Sequence, residues 1–216
     1  MRHADASFTV NEWAALEGIP GMGPQPVNVL LGDKIRHWGR IRVQRHFFPQ
    51  VNSETGRLLA AAGWDVVVPR DQGCCGALHL HAGRLPEFRR MVRALMAAFA
   101  EDLDIIVTNA AGCGSAMKEY VHWIDTPATR RVSLLTRDVS ELLVDAELPL
   151  HPLDVTVTYH DACHLAHGQR IRAEPRELLR RIPGLRLVPL EESDLCCGSA
   201  GIYNLVHPDV ADRLLD

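Results

Sequence analysis

The sequence predicts an α/β fold with a mainly parallel sheet, and three observations carry that prediction. Short β-branched runs alternate with amphipathic segments of helical period. The alternation restarts after a proline-containing break at 147–154. Strands that alternate with helices imply right-handed crossovers, which place neighbouring strands parallel.

The elements follow in order. Residues 1–40, interrupted by GMGPQP at 21–26, show little periodicity and stay unassigned. Ser53 is a plausible N-cap and Gly63 a plausible stop for a helix over 53–62, with Leu58, Leu59 and Ala62 on one side. Val66, Val67 and Val68, bounded by Asp65 and Pro69, read as a buried strand. Phe88, Met91, Val92, Leu95, Met96 and Phe99 recur at helical spacing behind Pro86, the strongest helical signal in the chain. Ile105 to Val107 make a second strand; Met117, Tyr120, Val121 and Ile124 line one face of a short helix. A further helix is expected over Thr136 to Ala146, with Val139, Leu142 and Leu143 inward. After the break, Val155 to Tyr159 is a strand, Pro175 to Ile182 a helix, Leu185 to Leu190 a strand, and Pro208 to Leu215 the start of another helix. Tyr203 and Asn204 open the last helical region. The second run holds fewer elements and reaches Asp216 without a C-cap, so the expectation is an incomplete second unit: 41–146 first, 147–154 as linker, 155–216 second.

Composition narrows the class. The chain has 216 residues, 47% of them hydrophobic and 23% charged, with Lys+Arg 23 against Asp+Glu 27 and a net charge of -4. A disordered tail, a collagen-like repeat and a nucleic-acid binder relying on net positive charge are excluded. The start lacks a secretory h-region, and no run approaches the ~18–20 apolar residues of a membrane span. The expectation is a soluble, cytosolic chain, in which six cysteines favour thiolate chemistry over three disulfides.

The cysteines are not scattered. Cys74 and Cys75, Cys113, Cys163, and Cys196 and Cys197 each fall a few residues past the carboxyl end of an expected strand. In open parallel sheets that edge binds ligands, and helices starting there aim N–H groups and a positive dipole end at an anion. Cys74-Cys75-Gly76 and Cys196-Cys197-Gly198 are the same tripeptide 122 positions apart. Adjacent thiolates reach one centre only from a bent loop, which the following glycine permits. Cys113 lies between Gly112 and Gly114, where backbone must approach closely. Taken alone, Cys113 reads equally well as a small buried hydrophobe.

Zinc prefers Cys-x-x-Cys or Cys/His pairs, and the chain has no Cys-x-x-Cys. Iron–sulfur clusters take thiolates at varied spacing and are the best metal reading. His160, His164 and His167 around Cys163, and His79 and His81 after Cys75, either tune such a centre or cap local turns. The chain carries no G-x-G-x-x-G loop, G-x-S-x-G elbow or H-E-x-x-H helix, so no substrate-oxidising residue is assigned.

The Cys-x32-Cys-Cys-Gly run from Cys163 resembles the cysteine-rich CCG domain found in heterodisulfide reductase and its relatives. More narrowly, GCCGALHLHAGR (73–84), NAAGCGSAMKEY (109–120), YHDACHLAHGQ (159–169), PRELLRRIPGL (175–185) and LCCGSAGIYNLVHP (195–208) resemble the iron–sulfur subunit of bacterial glycolate oxidase, from about Gln44 to Asp216. The resemblance implies two Rossmann-like CCG repeats, the second incomplete here. It implies ligand roles for Cys74, Cys75 and Cys113 in one repeat and for Cys163, Cys196 and Cys197 in the other, holding iron–sulfur of the 4Fe-4S type. The implied role is electron transfer from flavin-containing oxidase subunits towards the respiratory chain, on the cytoplasmic face of the inner membrane, with no nucleic-acid partner. A thiol or heterodisulfide enzyme is the alternative, and a degenerate fragment without function the blandest reading.

Three departures from the family pattern bear on loading. Arg42 stands about where a further family cysteine is expected, the last cysteine of the second repeat would fall beyond Asp216, and a ferredoxin-like segment is absent. Arginine cannot replace a thiolate. The expectation is that this polypeptide alone binds clusters incompletely.

Overall fold

The computed structural model describes residues 25–30, 50–69, 72–99, 103–196, 198 and 203–214. Its main sheet has four strands in the order β2-β1-β3-β4, all parallel: β1 (Gln25–Leu30), β2 (Trp64–Val67), β3 (Ile105–Thr108) and β4 (Thr136–Asp138). Val27 of β1 stands opposite Val66 on one side and Ile105 on the other. Between β1 and β3 the strand order reverses direction, the kind of crevice in which open α/β sheets bind ligands.

Helices cover both faces. The consecutive residues Ile106 and Val107 are fully buried in two different clusters, as alternation along a strand requires. Ile106 packs with Phe88, Val92, Leu95, Met117, Tyr120 and Val132, which come from helices α3 (Leu85–Met96), α4 (Ala111–Lys118), α5 (Tyr120–Trp123) and α6 (Pro127–Leu135). Val107 packs with Leu59 of α1 (Gln50–Ala61), Val66 of β2 and Leu143 of α7 (Val139–Leu143). One further short helix, α2 (Ala77–His81), follows the first Cys-Cys-Gly. The expected α/β class holds.

Several boundaries differ from the sequence expectation. The helix expected over 53–62 starts at Gln50, so Ser53 lies within it rather than capping it. Gly63 does end it, at φ 89. The single helix expected over Thr136 to Ala146 is instead β4 followed by α7. Asp138 accepts a hydrogen bond from Ser140 N–H, while its own N–H donates to Glu141, a capping box that fixes the helix start at Val139 and frees the preceding residues to pair with β3. The face through Met117 and Tyr120 is split between α4 and α5 at Glu119. β1 arises inside the stretch without periodicity, and α6 lies outside the sequence expectation, although Thr126 caps it and Pro127 opens it.

The second run forms a two-stranded parallel sheet of β5 (Thr156–Val157) and β6 (Arg186–Leu187), shorter than expected, although Arg186 N–H to Val155 O and Val188 N–H to Val157 O extend the ladder. A π-helical turn at His164–Gly168 follows Cys163, and α8 (Ala173–Arg180), α9 (Tyr203–Val206) and α10 (Pro208–Asp212) complete the described elements. No described helix is long and apolar enough to cross a membrane. Arg42 and Cys197 lie outside the described residues.

Candidate metal centre

Among the described residues, Cys74, Cys75, Cys113 and Cys196 are free thiols. Cys74 and Cys75 follow β2, and Cys113 sits in the first turn of α4 just past β3, so the carboxyl edge of the parallel sheet gathers all three. Cys75 is buried within the cluster built on Phe88 and Tyr120, and Cys74 and Cys113 pack against it half-buried. Cys75 Sγ donates to Cys113 Sγ at 3.1 Å.

Local backbone geometry produces this convergence. Gly76 adopts φ 82, the left-handed conformation that bends the chain after two adjacent cysteines. Its N–H donates to Cys74 Sγ at 3.3 Å. A β-carbon at Gly76 would lie 2.8 Å from the ring of Phe88, so glycine is demanded by space as well as by φ. Beneath the loop, Tyr120 is fully buried and its hydroxyl donates to Cys75 O at 2.5 Å. Gly114 also has the expected close neighbours, with Thr108 Oγ1 and the Gln169 amide 2.6 and 2.7 Å from a hypothetical β-carbon, whereas Gly112 has open space.

Three acidic sulfurs in one apolar pocket cannot all ionise unaided. Cys74 is held far above the ordinary thiol range, first by its hydrogen bond with Cys75 and then by burial. Cys75 is raised foremost by donating to Cys113, with burial adding to it, and Tyr120 is raised by burial and by the neighbouring sulfurs. A strongly positive centre is what would allow these sulfurs to coexist as thiolates. Among the described residues no three His, Cys, Asp or Glu side chains converge as on a single metal ion. The donor set, all sulfur and backed by N–H groups, suits an iron–sulfur cluster better than a mononuclear ion of hard ligands.

Two members of the second set also lie past strand ends. Cys163 follows β5 and is half-buried; Cys196 follows β6 and is exposed. Gly198 repeats the conformation of Gly76 at φ 70, and its hypothetical β-carbon would meet Ala211 O at 2.9 Å. The glycines that close the two matching tripeptides therefore share the left-handed conformation. The segment after Cys163 packs on the first set: Gln169 donates to Ala111 O at the start of α4 at 3.0 Å, and the His164 ring stacks on His81 at 4.9 Å. Burial, then His164, lowers the pKa of His81. His79 is buried, and His167 Nδ1 lies 3.1 Å from Arg172 Nη2. His160 is exposed.

Two supports escape sequence reasoning. The helical period turns Tyr120 inward, but its bond to Cys75 O depends on tertiary placement. Arg176 carries no local signal; it forms a two-pronged ion pair with buried Asp161, two residues before Cys163.

Residues 41–118 and 157–216 match the cysteine-rich domain family CCG. The chain is 36% identical over 210 residues to the probable glycolate oxidase iron–sulfur subunit of Bacillus subtilis, covering 92% of this chain and 45% of that protein. It is 37% identical over 181 residues to the glycolate oxidase iron–sulfur subunit of Escherichia coli, covering 78% and 44%. It is 38% identical over 168 residues to a fumarate reductase (CoM/CoB) subunit of Methanothermobacter marburgensis, covering 77% and 33%. The chain thus spans between a third and a half of the length of these curated relatives. With two matched segments that each contain a Cys-Cys-Gly tripeptide, the chain belongs to the CCG cysteine-rich domain family.

Proposed function

We propose that this chain is an iron–sulfur electron-transfer subunit of a glycolate or related 2-hydroxy-acid oxidase, with Cys74, Cys75 and Cys113 holding one 4Fe-4S-type cluster and Cys163, Cys196 and Cys197 a second. The observation that carries the reading is that three buried or half-buried thiols lie at the carboxyl edge of a parallel sheet, two of them 3.1 Å apart, with a matching left-handed glycine at Gly198. The relatives named as glycolate oxidase iron–sulfur subunits support it. A bound cluster would supply one-electron transfer. The chain's own part is to orient the sulfurs from the Gly76 and Gly198 bends, to donate an N–H to Cys74, and to hold buried Cys75 in the core over the Tyr120 hydroxyl. Flavin-containing oxidase subunits are the proposed electron donors, and the proposed location is the cytoplasm, at the periphery of the respiratory membrane.

Anaerobic reconstitution with ferrous iron and sulfide tests the reading. The wild-type chain should retain iron and acid-labile sulfide, and Cys75→Ser and Cys113→Ser should each lose a substantial part of both. Equal retention in all three proteins refutes it. Reduction of the loaded chain by a flavin-containing glycolate oxidase subunit, followed by electron paramagnetic resonance, tests the partner.

One observation favours a second reading. The 3.1 Å approach of Cys75 and Cys113 is suited to thiol–disulfide chemistry, as in a heterodisulfide reductase-like enzyme. A change in the resonance spectrum of reduced protein on adding a heterodisulfide would favour it over the first.

A further inference from the structure

We propose that Arg176 is a positioning residue for the second cysteine set: it locks the loop before Cys163 to the loop before Cys196 and neutralises the carboxylate buried between them. This assignment rests on the reading of Cys163 and Cys196 as iron–sulfur ligands.

The two loops leave β5 and β6 and are otherwise irregular. Holding ligands from two irregular segments at fixed separation carries an entropic cost that only specific bonds offset. Those bonds meet at Asp161. Its N–H donates to Ser193 O at 2.7 Å, joining the loops through backbone. Arg176 Nη1 donates to Asp161 Oδ1 at 2.7 Å and Nη2 to Oδ2 at 2.6 Å, the two-pronged geometry that only a guanidinium supplies. The same Nη2 reaches Ser193 Oγ at 3.2 Å, and that hydroxyl donates to Asp161 Oδ2 at 3.0 Å.

Arg176 is itself held in place. Its Nη1 donates to Arg172 O at 3.0 Å, and its guanidinium lies 4.9 Å above the Tyr159 ring. Asp161 is 4% exposed at its side chain, so without Arg176 it would be an uncompensated buried charge two residues from Cys163. A negative charge there opposes assembly of an anionic thiolate cluster and makes its reduction harder. The neighbouring Arg172–Asp194 pair, at 3.6 Å and about half exposed on both sides, adds little to the join.

The test uses the whole chain as wild type, Arg176→Met, Arg176→Lys, Arg176→Met with Asp161→Asn, and Cys163→Ser. In cluster-free protein, hydrogen exchange of the Asp161 amide should accelerate at least about tenfold in Arg176→Met, with α3 amides unchanged as the folding control. After anaerobic loading with ferrous iron and sulfide, Arg176→Met should fall to the iron content of Cys163→Ser, and Arg176→Lys should recover part of it. Any cluster that Arg176→Met retains at this set should have a more negative midpoint potential. The added Asp161→Asn should return the potential towards wild type without restoring full loading, separating charge from geometry. Wild-type exchange in Arg176→Met overturns the clamp itself. Undiminished iron in Cys163→Ser overturns the ligand reading on which the role depends. Wild-type loading and potential in Arg176→Met, alongside faster exchange, reduce Arg176 to a structural ion pair and overturn the proposal.

Discussion

Gly76 shows how one residue couples backbone conformation to the chemistry beside it. Its φ of 82 costs other residues roughly 1–2 kcal/mol, and its hypothetical β-carbon presses on Phe88, a fully buried side chain with no room to retreat. Gly76→Ala should therefore destabilise the chain by about 2–4 kcal/mol, combining that conformational cost with overpacking. Urea unfolding would measure the loss, and a change below about 1 kcal/mol would mean that the loop relaxes freely. At this scale the sequence is informative: a glycine after each cysteine pair announces a bend, and Gly76 and Gly198 both make it. It is uninformative wherever function depends on a distant partner. Tyr120 reaches Cys75 O across the core, and Arg176 reaches Asp161 from another element, with no local spacing to betray either bond.

The element scale is governed by caps and by pairing. Asp138 closes β4 and caps α7, and burial raises its pKa above the ordinary carboxylate value near 3.8. A raised folded pKa means that the native state favours the protonated form relative to the unfolded chain. That contribution is complete below about 3.8 and is lost as pH rises through the folded value. Asp138→Asn keeps an N-cap acceptor but no titration, so its stability should fall less than that of wild type as pH rises through that window. Parallel slopes in pH-dependent thermal melts would exclude the effect. The Asp138-x-x-Glu141 spacing is visible in the sequence as a capping box, yet the hydrophobic period of Val139, Leu142 and Leu143 invites extension of the helix back to Thr136. β1 is hidden for a different reason. Its segment QPVNVL carries a proline at its second position, and only pairing with β2 and β3 on its two sides identifies it as a central strand. β4, three residues long and paired on one side among the described strands, carries almost no pattern at all.

Across the whole molecule, the segment expected as a passive linker is tied down at both ends. Leu148 packs against the cluster of Leu59, Val66, Val107 and Leu143, and Leu153 N–H donates to Pro183 O at 2.8 Å. Leu178 of α8 joins the same cluster, so the second run contributes side chains to the core of the first. The join is completed by Arg181, which follows α8 and donates to Leu143 O at 3.1 Å, to Val144 O at 2.6 Å and to Ala146 O. These carbonyls lie at the carboxyl end of α7, where a cation also meets the negative end of the helix dipole. Such coupling predicts that the two runs unfold together. Arg181→Met removes the charged donors while keeping much of the aliphatic stem, and should cost about 1–3 kcal/mol, most of it from the interface between runs. In urea, wild-type Cys163 should become reactive to a maleimide over the same range in which far-UV dichroism is lost. In Arg181→Met the labelling transition should move to lower urea than the dichroism transition, because the second run can then open before the main sheet. Coincident transitions in the variant would show that Leu178 and the α4 contacts with Gln169 couple the runs without help from Arg181.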